Sequence, residues 1–295
     1  MSLPSIEDKV VIVTGGAQGM GRALVLGFAR AGAEGVVFID RCDRALGRQV
    51  VSDARKITGD RRVIFIPGDV TKPADCKRTV DRTIKAFGRV DVLINNAALG
   101  ERATGSDRLN FWKFDDAGWK ALMDVNVNGP FHMTKAVVPA MIRRKWGRII
   151  NLTKARESMH EPLISAYGSS KAALEAMSIA WAVELLRTGV TINSISPGGP
   201  VDTDFMTPSR RRLARSNGRI LQPDVIVPMA QWLASDRSRG ITGCRFIARR
   251  FNERRPSRKA AEYARDPAIF LPPRRRSDLS LTWKVPVGQR GVGER

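Results

Sequence analysis

The feature that most constrains the fold is a repeated alternation between short apolar runs and segments in which apolar residues recur at helical spacing. Runs rich in Val, Ile, Leu and Phe occupy about residues 9–14, 35–40, 62–70, 90–95, 147–152, 190–196 and 243–248. Strands that are apolar throughout are typical of a parallel sheet covered by helices on both faces. The pattern therefore predicts an α/β fold: a single doubly wound parallel sheet of seven strands with helices on both faces.

The alternation ends near residue 250, and the remaining chain differs in composition. Residues 251–295 are rich in Arg, Pro and Gly, and we expect a basic C-terminal extension, partly irregular, with one short helix near 256–265. From residue 206 onward there are 21 basic and 7 acidic residues, a net of +14 out of the formal +21. Such an excess attracts polyanions. Because no zinc-finger spacing or aromatic RNA-binding motif accompanies it, nucleic acid is not an expected partner.

The cysteines and histidines are too scattered to suggest a metal site or a disulfide framework. They are Cys42, Cys76, Cys244, His132 and His160. No metal is therefore expected. No apolar run approaches the roughly 18 residues that span a bilayer, and the first residues lack a signal-type arrangement. We expect a soluble cytoplasmic protein without a membrane partner.

A glycine-rich segment, "VTGGAQGMGRA" at 13–23, joins the first predicted strand to the first predicted helix. Gly15, Gly19 and Gly21 would let the chain turn tightly, bring backbone N–H groups close to a pyrophosphate and allow the helix to pack on the strand. The positive end of the helix dipole would also favour a phosphate. Residues 1–250 are thus predicted to form a Rossmann-fold dinucleotide-binding and catalytic domain.

The acid that ends the second predicted strand bears on the choice of dinucleotide. Asp40 lies 19 residues after Gly21, where a carboxylate can accept hydrogen bonds from both hydroxyls of an adenosine ribose and would repel a 2′-phosphate. This position favours NAD. The neighbouring Arg41 leaves NADP as the less favoured alternative, because a guanidinium can pair with a 2′-phosphate.

Six segments, in chain order, resemble motifs of the short-chain dehydrogenase/reductase (SDR) family of classical type. They are "TGGAQGMG" (14–21), "GDVT" (68–71), "NNAA" (95–98), "DVNVNG" (124–129), "YGSSK" (167–171) and "SPGGPVDT" (196–203). The resemblance covers about residues 6–250, with Ala98 replacing the family's last glycine. It implies an NAD(P)(H)-dependent oxidoreductase that transfers a hydride between nicotinamide and a secondary alcohol or ketone. The cofactor-binding residues that follow from these motifs and from Asp40 are Gly15, Gln18, Gly19, Met20, Gly21, Asp40, Arg41, Asp69, Val70, Asn96, Tyr167, Lys171, Pro197, Gly198 and Thr203.

Tyr167 and Lys171 are four residues apart on a predicted helix at about 165–187 and therefore share a face. A phenol with an ordinary pKa near 10 is a poor base at neutral pH, but a neighbouring ammonium stabilises the phenolate and lowers that pKa. Tyr167 can then exchange a proton with the substrate oxygen. The resemblance further implies that Lys171 bonds the nicotinamide ribose and that Asn126 supports a proton path.

One position departs from the family pattern. The family normally has a serine thirteen residues before the tyrosine, and Lys154 stands there in this chain. The hydroxyl of Thr153, or less favourably that of Ser158, could bond the substrate oxygen instead; Lys154 could donate that bond itself; or catalysis could be impaired. We favour Thr153 as the catalytic hydroxyl, with Lys154 pointing to solvent. Impairment would make the chain a catalytically weak dinucleotide-binding protein with a regulatory or scaffolding role.

The substrate, a small alcohol or ketone, is expected beyond the carboxyl ends of the strands. Its candidate walls are residues 97–113, 155–163 and 200–220, and the last of these carries an arginine cluster that we interpret as solvated charge rather than as a site for an anionic substrate. The cluster comprises Arg210, Arg211, Arg212 and Arg215. The long helices predicted at 115–144 and 165–187 are more apolar than one sheet face requires, and in the family such helices pair between subunits. A homo-oligomer, either a dimer or a tetramer, is therefore expected.

Overall fold

The computed structural model describes residues 6–59, 62–105, 109–252 and 257–266. The strands are β1 Val10–Thr14, β2 Gly35–Asp40, β3 Arg62–Pro67, β4 Val92–Asn95, β5 Gly147–Leu152, β6 Val190–Ser196 and β7 Cys244–Ile247. They form one sheet in the order β3-β2-β1-β4-β5-β6-β7, and every neighbouring pair runs parallel. The predicted doubly wound α/β fold is confirmed.

Helices cover both faces of this sheet. They are α1 Gly19–Arg30, α2 Arg44–Thr58, α3 Pro73–Phe87, α4 Asp116–Met123, α5 Gly129–Arg143, α6 Arg156–Met159, α7 Ser165–Glu184, α8 Pro208–Ser216, α9 Val227–Ala234 and α10 Ser257–Ala264. Successive strand residues point to opposite faces. In β1, Val11 and Val13 pack with α1 and α9 on one face, whereas Ile12 packs with α3, α5 and α7 on the other. Two buried cores result, which is why strands such as β1 carry apolar residues on both faces.

The strand order reverses beside β1, because β2 and β4 pair with its two edges. Loops that leave the carboxyl ends of β1 and β4 therefore diverge to opposite faces and open a crevice between them. The third strand is shorter than expected and ends at Pro67. Residues 68–70 leave the sheet instead as a turn toward this crevice.

The helical segment expected at 115–144 is interrupted. A π-helical turn at Asp124–Asn128 separates α4 from α5. A π turn bonds residue i to i+5 and so accommodates an extra residue within the helix. Apolar spacing on either side is preserved, and for this reason the pattern alone indicates one continuous helix.

The short helix expected near 256–265 is present as α10, and its residues Ala260, Ala261 and Ala264 are buried. Phe246 of β7 forms an antiparallel bridge with Arg265, so this segment packs against the last strand of the sheet. The rest of the expected C-terminal extension lies outside the described residues. No described helix is long and apolar enough to cross a membrane, and the described residues contain no cluster of potential metal ligands.

Candidate active site

A cleft of ≈ 1550 Å³ opens at the carboxyl edge of the sheet. Most of the site residues expected from the sequence line it: Gly15, Gln18, Gly19, Met20, Gly21, Asp40, Arg41, Asp69, Val70, Asn96, Thr153, Tyr167, Lys171, Pro197 and Thr203. Asn126 and Gly198 are not among its lining residues. Asn126 is fully buried behind the wall. A Cβ on Gly198, whose φ is +90°, would meet Ile247 and Arg249 rather than open space.

The glycine-rich turn between β1 and α1 forms one wall of the cleft. Gly15 has a φ of +68°, and a Cβ there would lie 2.8 Å from the Cα of Ala97. A Cβ on Gly21 would collide with the Gly15 carbonyl oxygen. The Asn96 amide donates to the carbonyls of Thr14 at 2.9 Å and Gly15 at 3.0 Å. The turn is therefore locked in a shape that exposes backbone at the start of α1, and this fits a pyrophosphate.

Asp40 connects this turn to the end of β2. Its Oδ2 accepts a hydrogen bond from the Ala17 N–H and its Oδ1 one from the Cys42 N–H, each at 2.9 Å. Each carboxylate oxygen can accept a second bond, so the group has acceptor capacity for the two hydroxyls of a ribose. Nη1 of Arg41 lies 3.9 Å from Oδ2 of Asp69 on the same rim.

The turn that follows β3 is organised by two carboxylates. Asp69 Oδ1 accepts from the Thr71 N–H, and Asp75 Oδ2 accepts from the Asp69 N–H, each at 2.9 Å. The bond from Asp69, together with the nearby Arg78 guanidinium, holds the pKa of Asp75 below its usual value. These bonds bring Asp69 and Val70 to the cleft wall.

Tyr167 and Lys171 lie one turn apart on α7, as their spacing predicts. The Lys171 ammonium is buried, donates to the Leu152 carbonyl of β5 at 2.9 Å and lies 5.8 Å from the centroid of the Tyr167 ring. Burial, and secondly the charge of Lys154, lower the pKa of Lys171 to about 8. The Tyr167 ring is half-buried and packs against Phe205, with centroids 5.3 Å apart. A phenol with an ammonium beside it faces the cleft.

Asn126 lies in the π-helical turn and supports this wall from behind. Its Oδ1 accepts from the Leu99 N–H, and its Nδ2 donates to the Leu99 carbonyl, both at 2.8 Å. The same Nδ2 lies 3.0 Å from Ser170 Oγ, and that hydroxyl donates to the Tyr167 carbonyl at 2.8 Å. Asn126 thus connects the loop after β4 to the backbone of α7.

The residues that follow β5 differ from the expectation for Lys154. Lys154 does not point to solvent: its Nζ lies over the Tyr167 ring, 5.0 Å from the centroid, and donates to the Ser158 carbonyl at 2.8 Å. The Thr153 hydroxyl is buried and lies 3.4 Å from the Ile195 carbonyl of β6. The Ser158 hydroxyl donates to Ala155 at 2.7 Å. Lys154 turns inward because α6 places the Ser158 carbonyl within its reach.

The arginines beyond β6 are largely paired with acids on the same side of the cleft. Arg210 binds Glu161 at 2.9 Å and Arg215 binds Asp202 at 2.7 Å. Arg211 binds Asp202 at 3.2 Å and Asp204 at 2.8 Å, and Arg212 is exposed. These acids therefore offset most of the positive charge of the arginine cluster.

Sequence reasoning missed a buried charge network behind the site. Arg245 of β7 forms an ion pair with Glu175 of α7 and lies 3.1 Å from Asp266 of the C-terminal segment. It also donates to the Lys154 carbonyl at 2.6 Å. A charged residue inside the predicted strand "GCRFIA" was the available signal, because an unpaired arginine is almost never fully buried.

Comparisons with known proteins identify the family of this chain. The family model described as short chain dehydrogenase matches residues 9–214. The chain is 34% identical over 243 residues to the (2S)-[(R)-hydroxy(phenyl)methyl]succinyl-CoA dehydrogenase subunit BbsD of Thauera aromatica, a match that covers 81% of this chain and 94% of that protein. It is 32% identical over 244 residues to the 3-oxoacyl-[acyl-carrier-protein] reductase FabG of Thermotoga maritima, with 81% and 95% covered. It is also 32% identical over 283 residues to L-fucose dehydrogenase of Mus musculus, with 90% and 96% covered.

The family match and these relatives, each covered over nearly its whole length, agree with the strand order and with the motifs around the cleft. The chain belongs to the short-chain dehydrogenase/reductase family of NAD(P)-dependent oxidoreductases.

Proposed function

We propose that this protein is an NAD(H)-dependent oxidoreductase that interconverts a secondary alcohol and a ketone, with Tyr167 as its general acid and base. The observation that carries the proposal is the pairing of Tyr167 with the buried Lys171 on a cleft that also contains the glycine-rich turn. The relatives named above are two dehydrogenases and a reductase, which supports the same type of reaction.

The preference for NAD rests on Asp40. Its carboxylate is fixed by two backbone N–H groups, so it would stay in place against an approaching 2′-phosphate and repel it. The nearest competing cation, Arg41, is 3.9 Å from Asp69 and is partly neutralised there. The expected cofactor-holding residues are the glycines of the turn, Asp40, Asp69 and Asn96, with Thr203 on the opposite wall.

When bound, the nicotinamide supplies or accepts the hydride at the substrate carbon. Tyr167 exchanges the proton at the substrate oxygen, and the Lys171 ammonium stabilises its phenolate form. Asn126 holds the loop after β4 against helix α7 through its hydrogen bonds to Leu99 and Ser170. Thr153 remains the residue whose hydroxyl we predict to contact the substrate. A bond from this hydroxyl to the Ile195 carbonyl orients it.

The proposal predicts that Tyr167→Phe lowers kcat by about 10²- to 10⁴-fold, because the phenol proton is lost while the ring and its packing remain. The measurement is the absorbance of NADH at 340 nm with a panel of ketones. Tyr263→Phe is the matched control, since Tyr263 is exposed on α10 and is the other of the two tyrosines in the chain. Cofactor binding without turnover across the whole panel would favour the non-catalytic dinucleotide-binding role instead.

We also propose that the protein is a homo-oligomer, a dimer or a tetramer. Support comes from aromatic side chains that are only partly buried on three neighbouring helices, namely Trp119 of α4, Phe131 of α5 and Trp181 of α7. The Phe131 and Trp181 rings lie 6.4 Å apart and form one apolar surface. A small molecule remains the proposed substrate, and nucleic acid and membranes are not proposed as partners.

A further inference from the structure

Two lysine ammonium groups lie near Tyr167, and the proposed mechanism uses only Lys171. Lys154 Nζ is 5.0 Å from the ring centroid and Lys171 Nζ is 5.8 Å from it. The two approach from different elements, the end of β5 and helix α7. Both lysines line the cleft, but Lys171 is buried and bound to Leu152, whereas Lys154 is partly exposed. Lys154 is therefore the ammonium that a substrate can reach.

Lys154 is held once through its side chain and once through its backbone. Nζ donates to the Ser158 carbonyl at 2.8 Å. The backbone carbonyl of Lys154 accepts a bond from Arg245 Nη2 at 2.6 Å. Arg245 is itself fixed by Glu175 and Asp266. The residue that replaces the family's serine is thus anchored by a buried guanidinium.

The charges around Tyr167 make this position cationic. Lys154 and Lys171 face the ring, and the proximity of Lys154 contributes to the lowered pKa of Lys171. Glu175, one turn beyond Lys171 on α7, is bound to Arg245, and Glu161, in the loop before α7, is bound to Arg210 of α8. Both carboxylates therefore have a guanidinium partner, and the ring faces two ammonium groups.

We propose that Lys154 is a catalytic residue, whose ammonium donates a hydrogen bond to the substrate oxygen that exchanges a proton with Tyr167, and that Arg245 is the residue that positions it. The inference rests on the proposed oxidoreductase function. In ketone reduction the carbonyl carbon gains a hydride from NADH, the carbonyl oxygen takes the electron pair of the broken π bond, and that oxygen takes the proton of Tyr167. Lys154 keeps its proton and stabilises the negative charge that develops on the oxygen.

The first test uses the fact that the chain has two tyrosines. In a Tyr263→Phe background, ultraviolet titration near 295 nm follows the ionisation of Tyr167 alone, without substrate or cofactor. We expect Lys154→Ser to raise the midpoint of this transition by roughly half a unit or more, the effect of one charge at about 5 Å in a watery environment. Arg212→Ser, which removes an equal charge from an exposed position, should leave the midpoint unchanged. Equal midpoints in Lys154→Ser and its parent would overturn the proposal.

The second test is kinetic. Lys154→Met should lower kcat for ketone reduction by about 10²- to 10³-fold, the range for loss of one donor to a developing oxyanion, with NADH affinity unchanged. Lys154→Ser should retain more activity than Lys154→Met, because it restores a hydroxyl donor. If Lys154→Met keeps the parent kcat while Tyr167→Phe is inactive, the function stands and the role of Lys154 is refuted. If Tyr167→Phe is fully active, the proposed function itself fails.

The third test asks whether Arg245 acts through Lys154. Arg245→Met should raise the pH midpoint of Tyr167 ionisation in the parent. It should produce no further shift in the Lys154→Ser background, because effects exerted through one shared group are not additive. Equal shifts in both backgrounds would mean that Arg245 acts through its own charge, which overturns its positioning role. Arg89→Met is the matched control, since it removes a guanidinium from the buried Asp91, which lies at the amino-terminal end of the central strand β4.

Discussion

Lys171 combines burial with a function that needs its charge. Its ammonium has one carbonyl acceptor on β5 and a second lysine nearby, and both burial and that neighbour make its proton easier to remove, which lowers its pKa to about 8. A lysine with a lowered pKa is charged below that value and neutral above it. In the proposed mechanism, the cation that assists Tyr167 is therefore lost as the pH rises through about 8.

We accordingly predict that kcat for ketone reduction falls as the pH rises through about 8, since deprotonation of Lys171 removes its positive charge. In Lys154→Ser the same basic limb should lie at higher pH, because the lysine charge that lowers the pKa of Lys171 is absent. The measurement is kcat from pH 6 to 10 at saturating NADH. A basic limb that is absent, or that stays in place in Lys154→Ser, would contradict this account.

The same residues show what a sequence can reveal at this scale. Tyr167, Lys171 and Asp40 were predictable because their positions follow from spacing along one helix or at one strand end. The inward direction of Lys154 was not, because it depends on the Ser158 carbonyl and on Arg245, 91 residues away along the chain. Contacts of that kind leave no periodic signal in the sequence.

Among the elements, the turn after β1 and the end of β2 act as one unit because Asp40 accepts an N–H from each. An amide in its place could accept only one of these bonds, since its NH2 group would face the other N–H. The carboxylate of Asp40 therefore fixes the shape of the glycine-rich turn as well as contributing its charge.

We predict that Asp40→Asn weakens NADH binding and lowers the NADH-over-NADPH ratio of kcat/KM by about tenfold or more, as expected when a repulsion of about 1.4 kcal/mol is removed. The measurement is the ratio with one ketone at fixed ionic strength. Asp43→Asn is the matched control, because Asp43 has the same charge and caps α2 without lining the cleft. An unchanged ratio in Asp40→Asn would refute the assignment of NAD preference to this residue.

The helical segment at 115–144 shows what apolar periodicity in a sequence fails to predict. The apolar pattern of 115–144 indicates a single helix, yet the π turn at Asp124–Asn128 divides it. That turn directs Asn126 inward, where its amide contacts both backbone groups of Leu99. The motif "DVNVNG" singles out Asn126 in the sequence, but the inward geometry of this residue depends on partners in a different loop.

At the scale of the whole molecule, the sheet and its two cores were predictable because most strands carry apolar residues on both faces. The attachment of the C-terminal segment was not. It depends on Arg245, which is 2% exposed and joins β7 to α7 through Glu175 and to the chain end through Asp266. One side chain thus connects the last strand, the catalytic helix and the C-terminal segment.

This connection makes Arg245 important for stability as well as for the site. Arg245→Met should lower the free energy of unfolding by about 3–5 kcal/mol, because it leaves two largely buried carboxylates without their cation. The measurement is the urea midpoint near pH 7 with the slope compared to the parent, since an unchanged slope identifies a loss of stability rather than a change in the unfolded state. Arg89→Met should also lose stability, because it removes the 2.6 Å ion pair of Asp91, which is 1% exposed. The loss should be smaller, since Arg144 stays 3.8 Å from the same carboxylate. Both variants should therefore unfold at lower urea than the parent and differ at Tyr167, whereas a parent-like urea midpoint in Arg245→Met would show that the network does not hold the chain end in place.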